Sequence, residues 1–406
     1  MFLVKTIEET KALIKEHGKK VILNQQVIPT KEALHYIAAK DIVAPHQVPH
    51  FDRSTVDGYA VMHDVVAQAR SATPVVLKQL DAVEMGQECK NTLDQKTTVY
   101  VPTGGHIPQK TTAMVMIENT DKLGDDILIN KSASKWENIL KRGSDIDEGT
   151  VIVKKHTKIT PATIGALYAL GIKEVEVFKR LKALVISTGD EITTSQTLVT
   201  GKIKDINSYT ITAYLKERNV NVTNTIIIPD DFKAYQEAVT NGFKDNDILF
   251  VSGGSSVGDK DYTYKVLESL NATIFVHGIN IKPGKPTILA TLNDKLFIGL
   301  PGQPTSAYMV LNTFFDTIVH TVYNIPFPVY EPYIEGVLTH NVRSAPGRQT
   351  YQPVILKGEN PIEVVPLFAK SGMISALKDA YGYVIIDASS EGLSKNDTVK
   401  VYRLGD

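Results

Sequence analysis

Apolar and polar positions change rhythm several times along the chain. Residues 1–45 carry apolar side chains at helical spacing, in VKTIEETKALIKEH and again after Thr30 in KEALHYIAAKDI, and this predicts helices. From 46 to 145 the text breaks into short β-rich runs (TPVVLKQL, TTVYVP, TAMVMIEN, DDILINK) separated by Gly, Pro, Asp and Asn, the pattern of a small β-rich domain. Helical spacing returns over 146–177, with Pro161 opening ATIGALYALGI and Gly171 near its end.

Between 180 and 325 strands alternate with helices. LKALVIST, TNTIIIP, DILFVSGG and ATIFVHG read as strands, and ILATLNDKLFIGL reads as a hairpin. The helices are NSYTITAYLKERN, capped by Asn207 or Ser208, DDFKAYQEAVTNGFK, opened by Asp230 or Asp231, DYTYKVLESL, and the long TSAYMVLNTFFDTIVHTVY. That alternation predicts a mostly parallel sheet covered on both faces. The tail from about 326 starts Pro-rich (IPFPVYEPY) and continues as β-runs, a second small β-domain. The fold class is α/β plus β, in several domains.

Composition narrows the function by exclusion. With 406 residues the chain exceeds what one core holds. Its 44 basic and 45 acidic residues leave a net charge of −1, which gives no footprint for nucleic acid or an anionic membrane. Cys89 is the single cysteine, so no intrachain disulfide or multi-cysteine metal site forms. The N-terminus has no signal-peptide h-region and no long apolar run follows, so a cytoplasmic protein is expected.

Ligands of open α/β sheets bind outside the carboxyl ends of the strands, and the chain places its oddest residues there. Thr188-Gly189-Asp190-Glu191 follows the first strand. Ser252-Gly253-Gly254-Ser255-Ser256-Val257-Gly258-Asp259-Lys260-Asp261 follows the third, a glycine turn offering backbone N–H groups to an anion or simply a tight turn. Asp259 stands where a P-loop requires Lys, so triphosphate hydrolysis is disfavoured. Ile281-Lys282-Pro283-Gly284-Lys285-Pro286 holds two lysines in a rigid loop, suited to phosphate or an oxyanion. Pro301-Gly302-Gln303-Pro304-Thr305-Ser306 opens the long helix and reads equally as an anion site or a plain helix start. Histidine spacing suggests no zinc site, and no G-x-S-x-G elbow is present.

In the β-rich part, Ser54-Thr55-Val56-Asp57-Gly58-Tyr59-Ala60-Val61, Pro102-Thr103-Gly104-Gly105-His106-Ile107-Pro108 and Gly143-Ser144-Asp145-Ile146-Asp147-Glu148-Gly149 read as loops. Taken in order with STGDEI, KIKDINSY, SGGSSVGDKDYT, IKPGKP and GLPGQPTSA, these stretches resemble the MoeA family of molybdopterin molybdenumtransferases, which includes the E-domain of gephyrin. The resemblance spans essentially the whole chain. Val56 stands where Met is usual, Gly105 where Ala is, and Gln303 where Asn is.

The resemblance implies an elongated homodimer of four-domain protomers. A helical linking domain would take 25–45 and 146–177, an inserted β-rich domain 46–145, an α/β molybdopterin-binding domain 1–24 and 178–325, and a C-terminal β-barrel 326–406. The implied reaction takes adenylylated molybdopterin and molybdate, releases AMP and leaves molybdenum on the dithiolene. Asp57, Asp145, Glu191, Asp230 and Asp261 would be its functional acids, with Glu191 and Asp261 assigned to Mg²⁺. Thr103, Ser252, Gly253, Gly254, Ser255, Lys282, Lys285, Pro301, Gly302, Ser371 and Ser375 would contact substrate. Implied partners are the molybdopterin adenylyltransferase and acceptor molybdoenzymes. Two other readings stand beside this one: an adenylyltransferase acting on molybdopterin, and a non-enzymatic peptide-binding scaffold. Asp57, in an exposed turn, is expected to cost little stability when removed, within ~0.5 kcal/mol. It is also expected to act with Thr103 on the partner subunit's Glu191, Asp261 and Lys282 side of a shared cleft.

Overall fold

A computed structural model describes residues 4–195, 197, 199–254, 262–328, 331–370 and 372–405. The chain divides into two units, one of Met1–Gln26, His35–Ile37 and Val177–Asp406, the other of Val27–Leu34 and Ala38–Glu176.

The first unit is built on the expected α/β pattern. Its strands are β1 (Lys182–Thr188), β2 (Asn221–Ile228), β3 (Ile248–Ser252), β4 (Thr273–His277), β5 (Ile288–Leu292) and β6 (Lys295–Leu300), in the order 2-1-3-6-5-4. Strands β2, β1, β3 and β6 run parallel, and the β5–β6 hairpin turns the sheet antiparallel at that edge. Residues 183–188 of β1 and all of β3 are buried, which is why both read as unbroken apolar runs rather than alternating ones.

Helices α1 (Ile7–Gly18), α2 (Asn207–Glu217), α3 (Phe232–Asp245), α4 (Tyr262–Ser269) and α5 (Pro304–Val322) complete this layer. Thr6 and Glu9 form a reciprocal capping box on α1. Asp231 caps α3, its carboxylate accepting from the N–H of Ala234 at 2.9 Å. Neither Asn207 nor Ser208 caps α2. Buried Asp205 takes that place, accepting from the Ser208 N–H at 3.1 Å and from the Ser208 hydroxyl. An Asp two residues before the start of the helix serves because its carboxylate can reach back to the first turn.

Five strands, β7 (Tyr333–Leu338), β8 (Gln349–Lys357), β9 (Glu363–Pro366), β10 (Gly382–Ile386) and β11 (Thr398–Arg403), close into a barrel through the β8–β10 pairing. The short extended pair Ile281–Lys282 adds to its rim, with Ile281 opposite Gln349 and Lys282 opposite Thr350.

The second unit holds a six-stranded sheet, in spatial order Ala113–Met116, Gly58–Val61, Thr97–Val101, Arg70–Ala82, Asp126–Lys131 and Thr120–Leu123. Tyr59, Val61, Leu77, Ile127 and Ile129 are buried together against it. The helix expected after Thr30 is absent. Gln25–Pro29 is a strand, Thr30–Glu32 a single 3-10 turn, and Ile42–Val43 a strand paired with Val151–Val153. The N–H groups of Ala38 and Ala44 donate to the carbonyls of Thr157 and Thr150. Long-range pairing thus satisfies backbone groups that a helix would have satisfied locally, and it overrides a helical spacing of side chains. Of the helix expected over 146–177, Pro161–Ala169 forms one, with Pro161 in the first turn.

Among the described residues no helix is long and apolar enough to cross a membrane.

The end of α5 is tied to the start of β1 by one phenol. Tyr323 accepts from the N–H of Leu181 at 2.8 Å and donates to the carbonyl of Lys179 at 3.2 Å. Burial pushes its pKa up to about 12, against a lowering from the Leu181 N–H. Tyr323→Phe leaves that N–H without its acceptor and is expected to cost about 1–3 kcal/mol in urea unfolding. Because the folded pKa lies above that of the unfolded chain, this stabilisation is complete below pH ~10 and is lost as pH rises toward 12. The Phe variant should lack that part of the alkaline decline.

Candidate functional site

The carboxyl ends of β1, β3 and β6 and the facing rim of the barrel enclose a cleft of about 1480 Å³. Parallel strands end with unpaired backbone groups on one edge, so the loops there must supply partners. Gly253 and Gly254 follow β3 with φ of 98° and 69°. A Cβ on Gly253 would stand 2.5 Å from the carbonyl oxygen of Thr188, so only glycine lets the two strand ends approach this closely. Asn207 braces the same place from α2, its amide donating to the Ser252 hydroxyl at 2.6 Å and to the Gly302 carbonyl at 2.7 Å. The Thr188 hydroxyl is buried beneath the turn and finds no hydrogen-bond partner among the described residues. The first turn of α5 opens onto the cleft through Pro304, Thr305 and Ser306, and Gln303 gives it no side-chain cap bond. That end of the helix favours an anion.

Charge follows the same logic. Lys204, Lys282, Lys285, Arg343, Arg348 and Lys370 line the cleft, against the acids Glu191, Asp205 and Asp230. Lys282 and Lys285 are exposed on a loop whose backbone is fixed at both ends. The Ile279 N–H donates to the Lys285 carbonyl, the Thr287 hydroxyl to the Gly284 carbonyl, and the Gln349 N–H to the Asn280 carbonyl. Asp205 is occupied in the fold, accepting also from the Ser187 hydroxyl at 3.0 Å. Glu191 folds back over Gly189, where a Cβ would lie 2.7 Å from its Oε2. With Asp231 serving as the helix cap, the exposed carboxylate of Asp230 is left facing the cleft.

The cleft therefore gathers Glu191, Asp230, Ser252, Gly253, Gly254, Lys282, Lys285, Pro301 and Gly302. Ser375 begins a short helix and is exposed, but it is not part of the lining. Ser255, Asp261 and Ser371 lie outside the described residues. Asp57, Thr103 and Asp145 belong to the other unit. There Asp57 and Thr103 are joined directly, the Thr103 N–H donating to Asp57 Oδ1 at 2.7 Å. Removing the Asp57 carboxylate breaks a charge-assisted bond, so the expectation of a nearly free alanine substitution gives way. Asparagine, which keeps the acceptor, is the cleaner test. Asp145 is exposed.

Sequence reasoning missed Asp205, Asn207, Arg343 and Arg348. The first two lie within KIKDINSY, where an Asp before a helix start was a readable signal. Arg343 belongs to a two-residue strand paired with Gly392–Leu393 and Arg348 lies just before β8, and nothing local in NVRSAPGRQ points to the α/β cleft.

Gly253→Ala forces a Cβ against the Thr188 carbonyl in a left-handed backbone, and the backbone strain alone amounts to about 1–3 kcal/mol. A lowered melting temperature with weakened binding of a tetrahedral oxyanion is expected. An unchanged melt and affinity would show that the turn tolerates a side chain.

Family models match nearly end to end: the MoeA N-terminal region (domain I and II) over 5–171, a molybdopterin binding domain over 184–320, and the MoeA C-terminal region (domain IV) over 335–404. A molybdopterin biosynthesis protein of Methanocaldococcus jannaschii is 31% identical over 92% of this chain and 90% of its own. A molybdopterin molybdenumtransferase of Haemophilus influenzae is 29% identical over 95% of this chain and 97% of its own. A crystal structure of the molybdopterin biosynthesis MoeA protein of Pyrococcus horikoshii superposes with a TM-score of 0.81 at 31% identity, covering 99% of this chain and 100% of that one. With its α/β layer, barrel and inserted sheet in the order these relatives share, the chain belongs to the MoeA family.

Proposed function

We infer that the chain is a molybdopterin molybdenumtransferase, and that its substrates, adenylylated molybdopterin and molybdate, meet in the cleft at the carboxyl ends of β1, β3 and β6. The observation that carries this is the coincidence of fixed cations, a glycine turn and an open helix N-terminus around one cavity. A phosphoanhydride and a tetrahedral oxyanion are both recognised by such groups. Lys282 and Lys285 hold the anionic groups as point charges, and the backbone N–H groups of Gly254 and Gly302 orient them. The products are molybdenum bound at the dithiolene and AMP.

Mg²⁺ fits the donors present. Glu191 and Asp230 offer hard carboxylate oxygens in the cleft, and among the described residues no three His, Cys, Asp or Glu come together to cage a metal. An ion that binds through one or two carboxylates plus substrate phosphates matches that set. Glu191, with Asp261, would hold it, and it would offset phosphate charge during anhydride cleavage. An adenylyltransferase reading is disfavoured because the chain carries an inserted sheet and a barrel beyond its α/β layer. A purely peptide-binding scaffold would have no use for the cationic lining.

The direct test supplies purified chain with adenylylated molybdopterin, molybdate and Mg²⁺ and measures AMP. Lys282→Ala should weaken substrate binding at low salt, and rising salt should narrow its gap from wild type. Absence of AMP release by wild type, or equal binding by the variant at low salt, would overturn the assignment.

The protein is further proposed to work in the cytoplasm as a twofold homodimer, receiving its substrate from the adenylyltransferase and passing product to acceptor molybdoenzymes. Asp57, Thr103 and Asp145 belong to the other unit, and each cleft is proposed to gain them from the partner. One isologous contact then completes two equivalent sites. Asp57→Asn and Asp261→Ala chains, each impaired alone, should recover activity after subunit exchange, since about half of randomly mixed dimers are heterodimers with one intact site. No recovery after verified exchange would mean that each site is built within one chain.

A further inference from the structure

Among the described residues, two of the large apolar side chains that stand exposed lie on the cleft: Ile203, 57% exposed on the α/β side, and Phe368, 66% exposed on the barrel side. Phe368 is the less expected of the two. Its backbone neighbour is pinned, because the Leu367 N–H donates to the Pro353 carbonyl at 2.9 Å and the Gln352 amide donates to the Leu367 carbonyl at 2.8 Å. Both partners belong to β8, so Phe368 is held on the cleft wall while its ring meets solvent. It stacks on no other described ring. Lys370 lines the same wall two residues later, and Arg348 lines it just before β8.

An exposed ring among cations is the pairing that recognises a flat base carrying a negative group. The cations take the anionic part, and the π-face takes the ring. The cleft is also far larger than one oxyanion requires and exceeds the ~300–1,000 Å³ of ordinary small-ligand pockets. We propose that Phe368 is a stacking platform for a planar nitrogen heterocycle of the anionic substrate, a purine or a pterin ring. This rests on the reading that the cleft takes adenylylated molybdopterin, and it adds a specificity residue that reads the ring rather than the phosphate.

Calorimetry with four probes, AMP, ribose 5-phosphate, molybdate and free pterin, tests it on the full chain. Phe368→Ala and Phe368→Leu should each weaken binding of AMP, pterin or both about tenfold, while ribose 5-phosphate and molybdate bind as in wild type. Phe368→Trp should restore the affinity. A loss confined to AMP assigns the purine, a loss confined to pterin assigns the pterin, and either supports the platform. Leucine binding both rings as well as phenylalanine would overturn stacking, because leucine keeps apolar area without a π-face. An equal loss for ribose 5-phosphate would overturn it as well. If wild type binds none of the four probes, the underlying cleft reading fails and this proposal falls with it.

Discussion

The amide of Asn207 donates at once to the Ser252 hydroxyl and the Gly302 carbonyl, and the floor of the cleft depends on that pair of bonds. Parallel strands deliver their ends to one edge but do nothing to hold the loops that follow. Here the ends of β3 and β6 are linked by a side chain from the start of α2. Asp205 fixes that start in turn, joined to Ser187 of β1 and to Ser208. A buried polar network of this kind is rigid when every member is satisfied. The exception is the Thr188 hydroxyl, unpartnered among the described residues at the one place where the glycine turn presses closest.

That rigidity explains how exposed lysines can define a site. An ammonium on a free loop is solvated and weakly directed, and its side-chain entropy opposes any fixed contact. For Lys282 and Lys285 only the backbone part of that cost is reduced, because Pro283, Gly284 and Pro286 lie around them and the backbone on either side is hydrogen bonded, while their exposed side chains keep their rotamer freedom. Gly284 itself has φ 129°, and a Cβ there would stand 2.5 Å from Val310 of α5. The loop is packed onto the same helix whose N-terminus opens into the cleft. Cation and helix end are therefore positioned by one piece of core.

Much of the fold was legible in the sequence because the α/β layer obeys local rules. Buried strands such as LKALVIST and DILFVSGG announce themselves by continuous apolar runs, and Pro304 marks the start of α5. The place of the glycine turn was legible for the same reason, since Gly253 sits at a strand end that any open α/β sheet exposes. What failed was long-range. The apolar spacing after Thr30 looks helical, but its backbone is claimed by strands more than a hundred residues away. Arg343 and Arg348 could not be placed, because a barrel rim reaches the cleft only through tertiary packing. The start of α2 is held by Asp205 rather than by Asn207 or Ser208, which leaves the Asn207 amide to bond Ser252 and Gly302.

The pairing of Ile281–Lys282 with the barrel strand β8 has a consequence for how the molecule can be altered. Ladder bonds are made by backbone and are blind to side-chain identity. A barrel transplanted from another protein could thus carry different residues and still seat the lysine loop, provided its edge kept the same register. A single-residue insertion in that edge would do the reverse, shifting the register against Lys282 and turning the β8 residues that line the cleft to the other face. In this part of the molecule, spacing constrains the site more strictly than side-chain chemistry does.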